Sequence, residues 1–103
     1  MINIDILIPV SDNEGETFTQ EHHLAFERVI LDHFEGFSRP FGVALGGWKD
    51  PTGKVYRDLS ITYRIAVPSI TAAASLAKII DFAKAHYRQL SIFVSYLGLS
   101  EVL

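Results

Sequence analysis

Residues 56–67 read Tyr-Arg-Asp-Leu-Ser-Ile-Thr-Tyr-Arg-Ile-Ala-Val, and their alternation is the strongest structural signal in the chain. Leu59, Ile61, Tyr63, Ile65 and Val67 fall on one side of an extended backbone, with Asp58, Ser60, Thr62 and Arg64 on the other. Successive side chains of a strand point to opposite faces, so a period of two with one apolar side marks a half-buried strand. Just upstream, Phe41, Val43 and Leu45 alternate with Gly42 and Ala44, and Asp50-Pro51-Thr52-Gly53 intervenes. Proline presets φ and glycine accepts a positive one, which makes this tetrapeptide a turn. Residues 41–67 are therefore expected to form a β-hairpin.

The same reasoning extends in both directions. Ile2, Ile4, Ile6, Ile8 and Val10 alternate with Asn3, Asp5, Leu7 and Pro9, predicting a first strand whose pairing weakens at Pro9. Thr17 with Gln20 fits a capping box opening a helix to about Phe34, with Gly36 as a left-handed stop. Phe18, Ala25, Phe26, Val29, Ile30 and Phe34 gather on one helical face. Glu21, Glu27, Arg28, Asp32 and Glu35 lie opposite, together with Leu24 and Leu31. After Pro68, Ser69 or Thr71 is expected to cap a second helix. Its buried stripe is Ala73, Leu76, Ala77, Ile80, Ala83 and Tyr87. Leu90, Ile92, Val94 and Tyr96 then predict a closing strand, leaving Gly98 to Leu103 as a tail.

The order is β-α-β-β-α-β. Right-handed crossovers convert it into a ferredoxin-like, four-stranded antiparallel sheet of order 4-1-3-2, with both helices on one face. Ile4, Ile6, Phe26, Ile30, Ile61, Ile65, Leu76, Ile80 and Ile92 are expected to form its core. One α+β domain accounts for all of residues 1–103.

Composition narrows the function classes. Hydrophobic residues make up 49% and charged residues 20%, which excludes disorder. Without cysteine there is neither a disulfide nor a thiolate metal site. The apolar runs fall far short of the ~20 residues that span a bilayer, and the N-terminus has an aspartate inside its apolar stretch and no basic start. A cytoplasmic protein with no membrane partner is expected. The net charge of −3 is unevenly spread. Residues 1–36 hold eight carboxylates against Arg28, a balance of −7, and residues 37–103 carry eight basic groups against four acidic ones, a balance of +4. Such a dipolar surface steers partners or brings copies of one chain together.

Few residues point to chemistry. His22 and His33 fall in the middle of the apolar face of the first helix, about 16 Å apart along its axis, too far to share a metal. Each is expected either to be satisfied by a backbone group or to act alone as a general acid or base. Tyr63 faces the same interior. The four histidines offer no ligand spacing, and no metal or cofactor is expected. Asp12, Glu14 and Glu16 alternate in a loop too short for an EF-hand. Gly46-Gly47 precedes neither a helix nor a Gly-Lys-Ser/Thr run, so it reads as a bulge rather than a phosphate loop. Arg39, Lys49, Lys54, Arg57 and Arg64 cluster around the hairpin, but the chain is acidic and lacks an RNA-binding signature. No nucleic-acid partner is expected.

The run Gly46-Gly47-Trp48-Lys49-Asp50-Pro51-Thr52-Gly53-Lys54-Val55-Tyr56-Arg57-Asp58 resembles a signature of small bacterial proteins of unknown function. In those, G-x-W-x-D-x-x-G-x-x-x-R-E/D precedes a long strand, and a closing strand begins with glutamine, here Gln89. The resemblance spans about residues 37–97. It supports the fold and implies no activity, and the export signal that some of those proteins carry is not expected here. Trp48 and Tyr56 flank the turn and, with Arg57, are either a rigid aromatic clasp with a salt bridge or an anchor for a partner.

Two functions follow as expectations. The first is a non-enzymatic binding or assembly module that self-associates as a homo-oligomer, through the open sheet face or the Leu24/Leu31 stripe. The alternative is a small enzyme or small-ligand binder with a pocket between the first helix and the sheet, using His22, His33 and Tyr63.

Overall fold

The computed structural model describes residues 2–69, 72–96 and 99–103. The elements run β1 (Ile2–Pro9), α1 (Gln20–His33), β2 (Phe37–Ser38), β3 (Ala44–Lys49), β4 (Val55–Val67), α2 (Ala73–His86), β5 (Phe93–Tyr96) and β6 (Leu99–Val102). The chain is α+β, but the sheet has six antiparallel strands rather than four, ordered β2-β4-β1-β5-β6 with β3 also on β4. Two features produce the extra strands. The expected second strand is split, because Pro40 has no N–H to give a ladder and residues 39–43 leave β4 between β2 and β3. The expected tail turns back onto β5 as β6.

β1 lies at the centre. It pairs with β4 from Ile2↔Val67 to Pro9↔Ser60 and with β5 from Ile4↔Tyr96 to Ile6↔Val94. The register puts Ile4, Ile6 and Ile8 on the same side as Ile61, Tyr63, Ile65, Val67 and Val94, and all eight are buried. Phe26, Ile30, Phe34, Ile79, Ile80, Ala83 and Tyr87 complete the core from the helical layer. Of the expected core only Leu76 is partly exposed; Ile79 takes the deeper place, while Ala73 and Ala77 face solvent.

Several local expectations are corrected. Thr19, not Thr17, caps α1, its hydroxyl accepting the His22 N–H at 3.2 Å. The helix ends as Phe34 turns extended, so Gly36 supplies no left-handed stop; among the described residues positive φ belongs instead to Gly15, Gly53 and Arg88. Ala72 begins α2 with no side-chain cap, and Thr71 lies outside the described residues, as do Leu97 and Gly98. Leu90 is exposed, since β5 starts only at Phe93. Gly46 and Gly47 form no bulge and pair regularly with Asp58 and Arg57.

β4 outruns the rest of the sheet. β1 pairs with it only from Ser60 onward, so β3 and Val55–Leu59 form a two-stranded arm beyond the body. At its tip the Asp50 carboxylate accepts the Thr52 N–H, the Thr52 hydroxyl and the Lys54 N–H, which fixes the turn. Trp48 and Tyr56 sit directly opposite and stack at 4.4 Å. The indole N–H donates to Asp58 at 2.8 Å, and the Tyr56 hydroxyl to Asp50 at 3.2 Å.

Candidate functional site

Two polar side chains of α1, one turn apart, reach the aromatic part of the core. His23 and Glu27 share a face of the helix, and Phe26 between them packs edge-on against Tyr63 at 5.2 Å and Tyr87 at 5.6 Å. His23 Nδ1 shares a 2.7 Å hydrogen bond with the Tyr87 hydroxyl, and the Tyr63 hydroxyl donates to Glu27 at 2.7 Å. Arg39 closes this group, 3.9 Å from the Glu27 carboxylate and 5.6 Å above the Tyr63 ring. Burial, and next the hydrogen bond to Glu27, hold the Tyr63 hydroxyl far above the ordinary tyrosine range. Burial and the Glu27 charge do the same to Tyr87. Both phenols therefore stay protonated, and Tyr63 serves as a hydrogen-bond donor rather than a base.

Burial, then the Arg39 charge, lowers the His23 pKa below its ordinary 6.5. A depressed folded pKa means that the unfolded chain binds the proton more readily, so His23 contributes stability above pH ~6.5 and loses it as pH falls below that value. Urea midpoints are expected to drop between pH 8 and pH 5, and His23→Gln is expected to flatten that drop. An unchanged slope in the variant would assign the pH dependence to other groups.

His22 does something else. Its ring stacks on that of His86 at 3.6 Å, and each Nε2 donates to the other residue's backbone carbonyl, at 2.8 and 2.7 Å. Phe18 and Phe82 extend the stack on either side, each 4.8 Å away. This reciprocal clasp pins the start of α1 to the end of α2. With both Nε2 protons committed to carbonyls, His22 is a fastener between helices.

His33 lies at the opposite end of α1, and there the surface opens. A cleft of about 840 Å³ runs between the last turn of α1, β2 and the end of β4. Its chemistry comes from Asp32, His33, Glu35, Ser38 and Arg64, set against Phe34, Phe37 and Ala66. Arg64 stands across the sheet from Asp5 and is held in a two-pronged pair, Nε to Oδ1 at 2.8 Å and Nη2 to Oδ2 at 3.0 Å. The Phe41 ring lies under the guanidinium, 5.5 Å from its carbon. Of the three residues expected to converge between helix and sheet, only His33 lines the cleft. Tyr63 sits behind Phe37, 5.7 Å ring to ring, and His22 is at the far end of the helix.

The arm carries the remaining candidates. Trp48 and Tyr56 point to the sheet face away from the helices, whereas Arg57 points to the other, so the three do not form one patch. Asp58 binds the indole rather than Arg57. Tyr56 and Ala66 are about 33 Å apart along β4, which separates the arm from the cleft. In the acidic loop, Asp12 turns its carboxylate onto its own Glu14 and Glu16 N–H groups. Among the described residues no three acidic or histidine side chains assemble for a metal, and no helix is long and apolar enough to cross a membrane.

No protein-family model matches the chain, and no curated protein sequence does. Solved structures do. A phage SAM lyase in complex with S-methyl-5′-thioadenosine superposes on 99% of this chain and 86% of its own, with a TM-score of 0.71 at 15% identity. A phage SAM lyase in the apo state covers the same shares with a TM-score of 0.61 at 14% identity. The shared fold runs end to end. This overturns the expectation of a non-enzymatic assembly module, since in both neighbours the same architecture carries an enzyme.

His23 and Glu27 escaped the sequence reading. A helical wheel puts Glu27 among exposed carboxylates, yet its side chain is 15% exposed because Tyr63 and Arg39 reach over it. The available signal was the spacing of His23 and Glu27 on one helix facing a strand tyrosine.

Proposed function

We propose that this chain is a small enzyme acting on an adenosylated sulfonium of the S-adenosylmethionine (SAM) class, with the cleft beside His33 as its site. The observation that carries the reading is the end-to-end likeness to a SAM lyase holding S-methyl-5′-thioadenosine. The charge of the cleft supports it. Asp5 already balances Arg64, which leaves Asp32 and Glu35 to favour a ligand of net positive charge, as a sulfonium amino acid is. Phe34 and Phe37 give the wall apolar surface for the nucleoside.

S-methyl-5′-thioadenosine is what remains of SAM once the four-carbon amino-acid chain departs. The bond between sulfur and that chain breaks, and its electron pair stays on sulfur, which becomes a neutral thioether. The sulfonium is already a good leaving group. In a lyase reaction the departing carbon either bonds to the chain's own carboxylate oxygen, or an adjacent carbon gives a proton to a base and a double bond forms. His33 is the imidazole that lines the cleft, and it is the group placed to take that proton. Purified protein incubated with SAM is expected to accumulate S-methyl-5′-thioadenosine faster than buffer alone, read by liquid chromatography. No product above the buffer control, with no heat of binding for S-methyl-5′-thioadenosine, would sink the reading.

In this reading the body is ferredoxin-like, with β6 added outside β5, and the enzyme works as a homo-oligomer. Its open sheet face carries the exposed rings of Phe41, Trp48 and Phe93, apolar groups that a second copy would cover. The acidic first third and basic remainder of the chain suit a second copy of itself as the partner. Light scattering at micromolar concentration is expected to give a multiple of 11.5 kDa, and Phe93→Glu to reduce it. A wild-type mass of one chain would refute the assembly.

A further inference from the structure

Arg64 lines the cleft with half of its hydrogen-bonding fork uncommitted. A guanidinium offers five N–H groups in one plane, enough for two carboxylates on adjacent edges. Asp5 takes the Nε/Nη2 edge. Among the described residues Nη1 has no partner, so the Nη1/Nη2 edge is open while the side chain lines the cleft. The group is also unusually fixed for a residue on an open sheet face, with Asp5 on one edge and the Phe41 ring beneath. Little rotamer entropy remains to be lost when an anion docks on the second edge. The neighbours suit the other half of a zwitterion, because Asp32 and Glu35 line the same cleft and attract an ammonium.

We infer that Arg64 anchors the α-carboxylate of an amino-acid-bearing ligand, that Asp5 is its positioning residue, and that the cleft thus selects ligands ending in an α-amino acid. This rests on the reading of the cleft as a site for the SAM class and adds which end of the ligand it grips. Asp5 acts through Arg64 alone: it orients the fork and lowers the net charge of the site, so that the ligand's ammonium is not repelled.

Calorimetry on the full chain, with S-adenosylhomocysteine and S-methyl-5′-thioadenosine as probes, tests this. The first has the amino-acid end and the second lacks it. The wild type is expected to prefer S-adenosylhomocysteine by about ten-fold or more, the size of one charge-assisted hydrogen bond. Arg64→Gln should abolish that preference while leaving S-methyl-5′-thioadenosine affinity unchanged. Arg64→Lys should recover only part of it, since a point charge cannot reproduce the fork. Asp5→Asn should shrink the preference with Arg64 still present, a change in selectivity that a merely structural role would not produce. Thermal melts confirm that each variant is folded. An equal loss for both probes, or none, overturns the inference. If the wild type binds neither nucleoside, the SAM reading fails, and L-methionine against L-methioninol still tests the anchor. A preference for methionine that Arg64→Gln removes would support it, and no preference would overturn it.

Discussion

Phe26→Ala is expected to lower stability by about 3–5 kcal/mol, the range for emptying an aromatic site in a packed interior. Phe26 is fully buried, with Tyr63 and Tyr87 edge-on to its ring and Phe82 stacked at 6.4 Å. The surroundings cannot collapse into the space. Tyr63 is tethered to Glu27 and Tyr87 to His23, so moving either ring breaks a hydrogen bond inside the protein. Against the ~5–15 kcal/mol that holds a domain together, this is a large share. Denaturant unfolding reads it directly. A loss below about 1 kcal/mol would mean that the rings close over the vacancy and that the two tethers are weak.

Ile65→Ala is expected to cost about 2–5 kcal/mol. Ile65 is fully buried and stands where three strands meet, opposite Ile4 on β1 and Phe37 on β2. Truncation opens space between both neighbours, and strand backbones tied by ladders on each side cannot close it. Ile65→Val, which removes one methyl, should cost about 0.5–1.5 kcal/mol. If Ile65→Ala left the denaturation midpoint unmoved, the inward facing of β4 would be wrong.

What was legible in the sequence was whatever depended on periodicity. The alternation of Leu59 to Val67 gave β4 its facing, and the spacing of Phe26 and Ile30 gave α1 its buried side. The split between β2 and β3 was harder, since Pro40 interrupts pairing through a missing N–H that hydropathy does not register. β6 was hidden because Leu99–Val102 is short and becomes a strand only by pairing with β5. The site was less legible for a physical reason. His22 and His33 look alike on a helical wheel, yet one meets His86 from α2 and the other meets a cleft. Those surroundings come from residues distant in sequence. Arg64 read as the polar side of a strand, and its pairing with Asp5 follows from a register between residues 59 positions apart.

The central place of β1 also shapes how the chain reaches this structure. Its partners on either side, β4 and β5, lie more than fifty and more than eighty residues downstream. Such distant pairings close late, and domains dominated by them fold in milliseconds to seconds rather than microseconds. During synthesis β1 emerges well before either partner, with Ile4, Ile6 and Ile8 on one unpaired face. The most protected strand of the finished molecule is thus the most exposed one in the growing chain, and that interval is when the protein is most prone to aggregate.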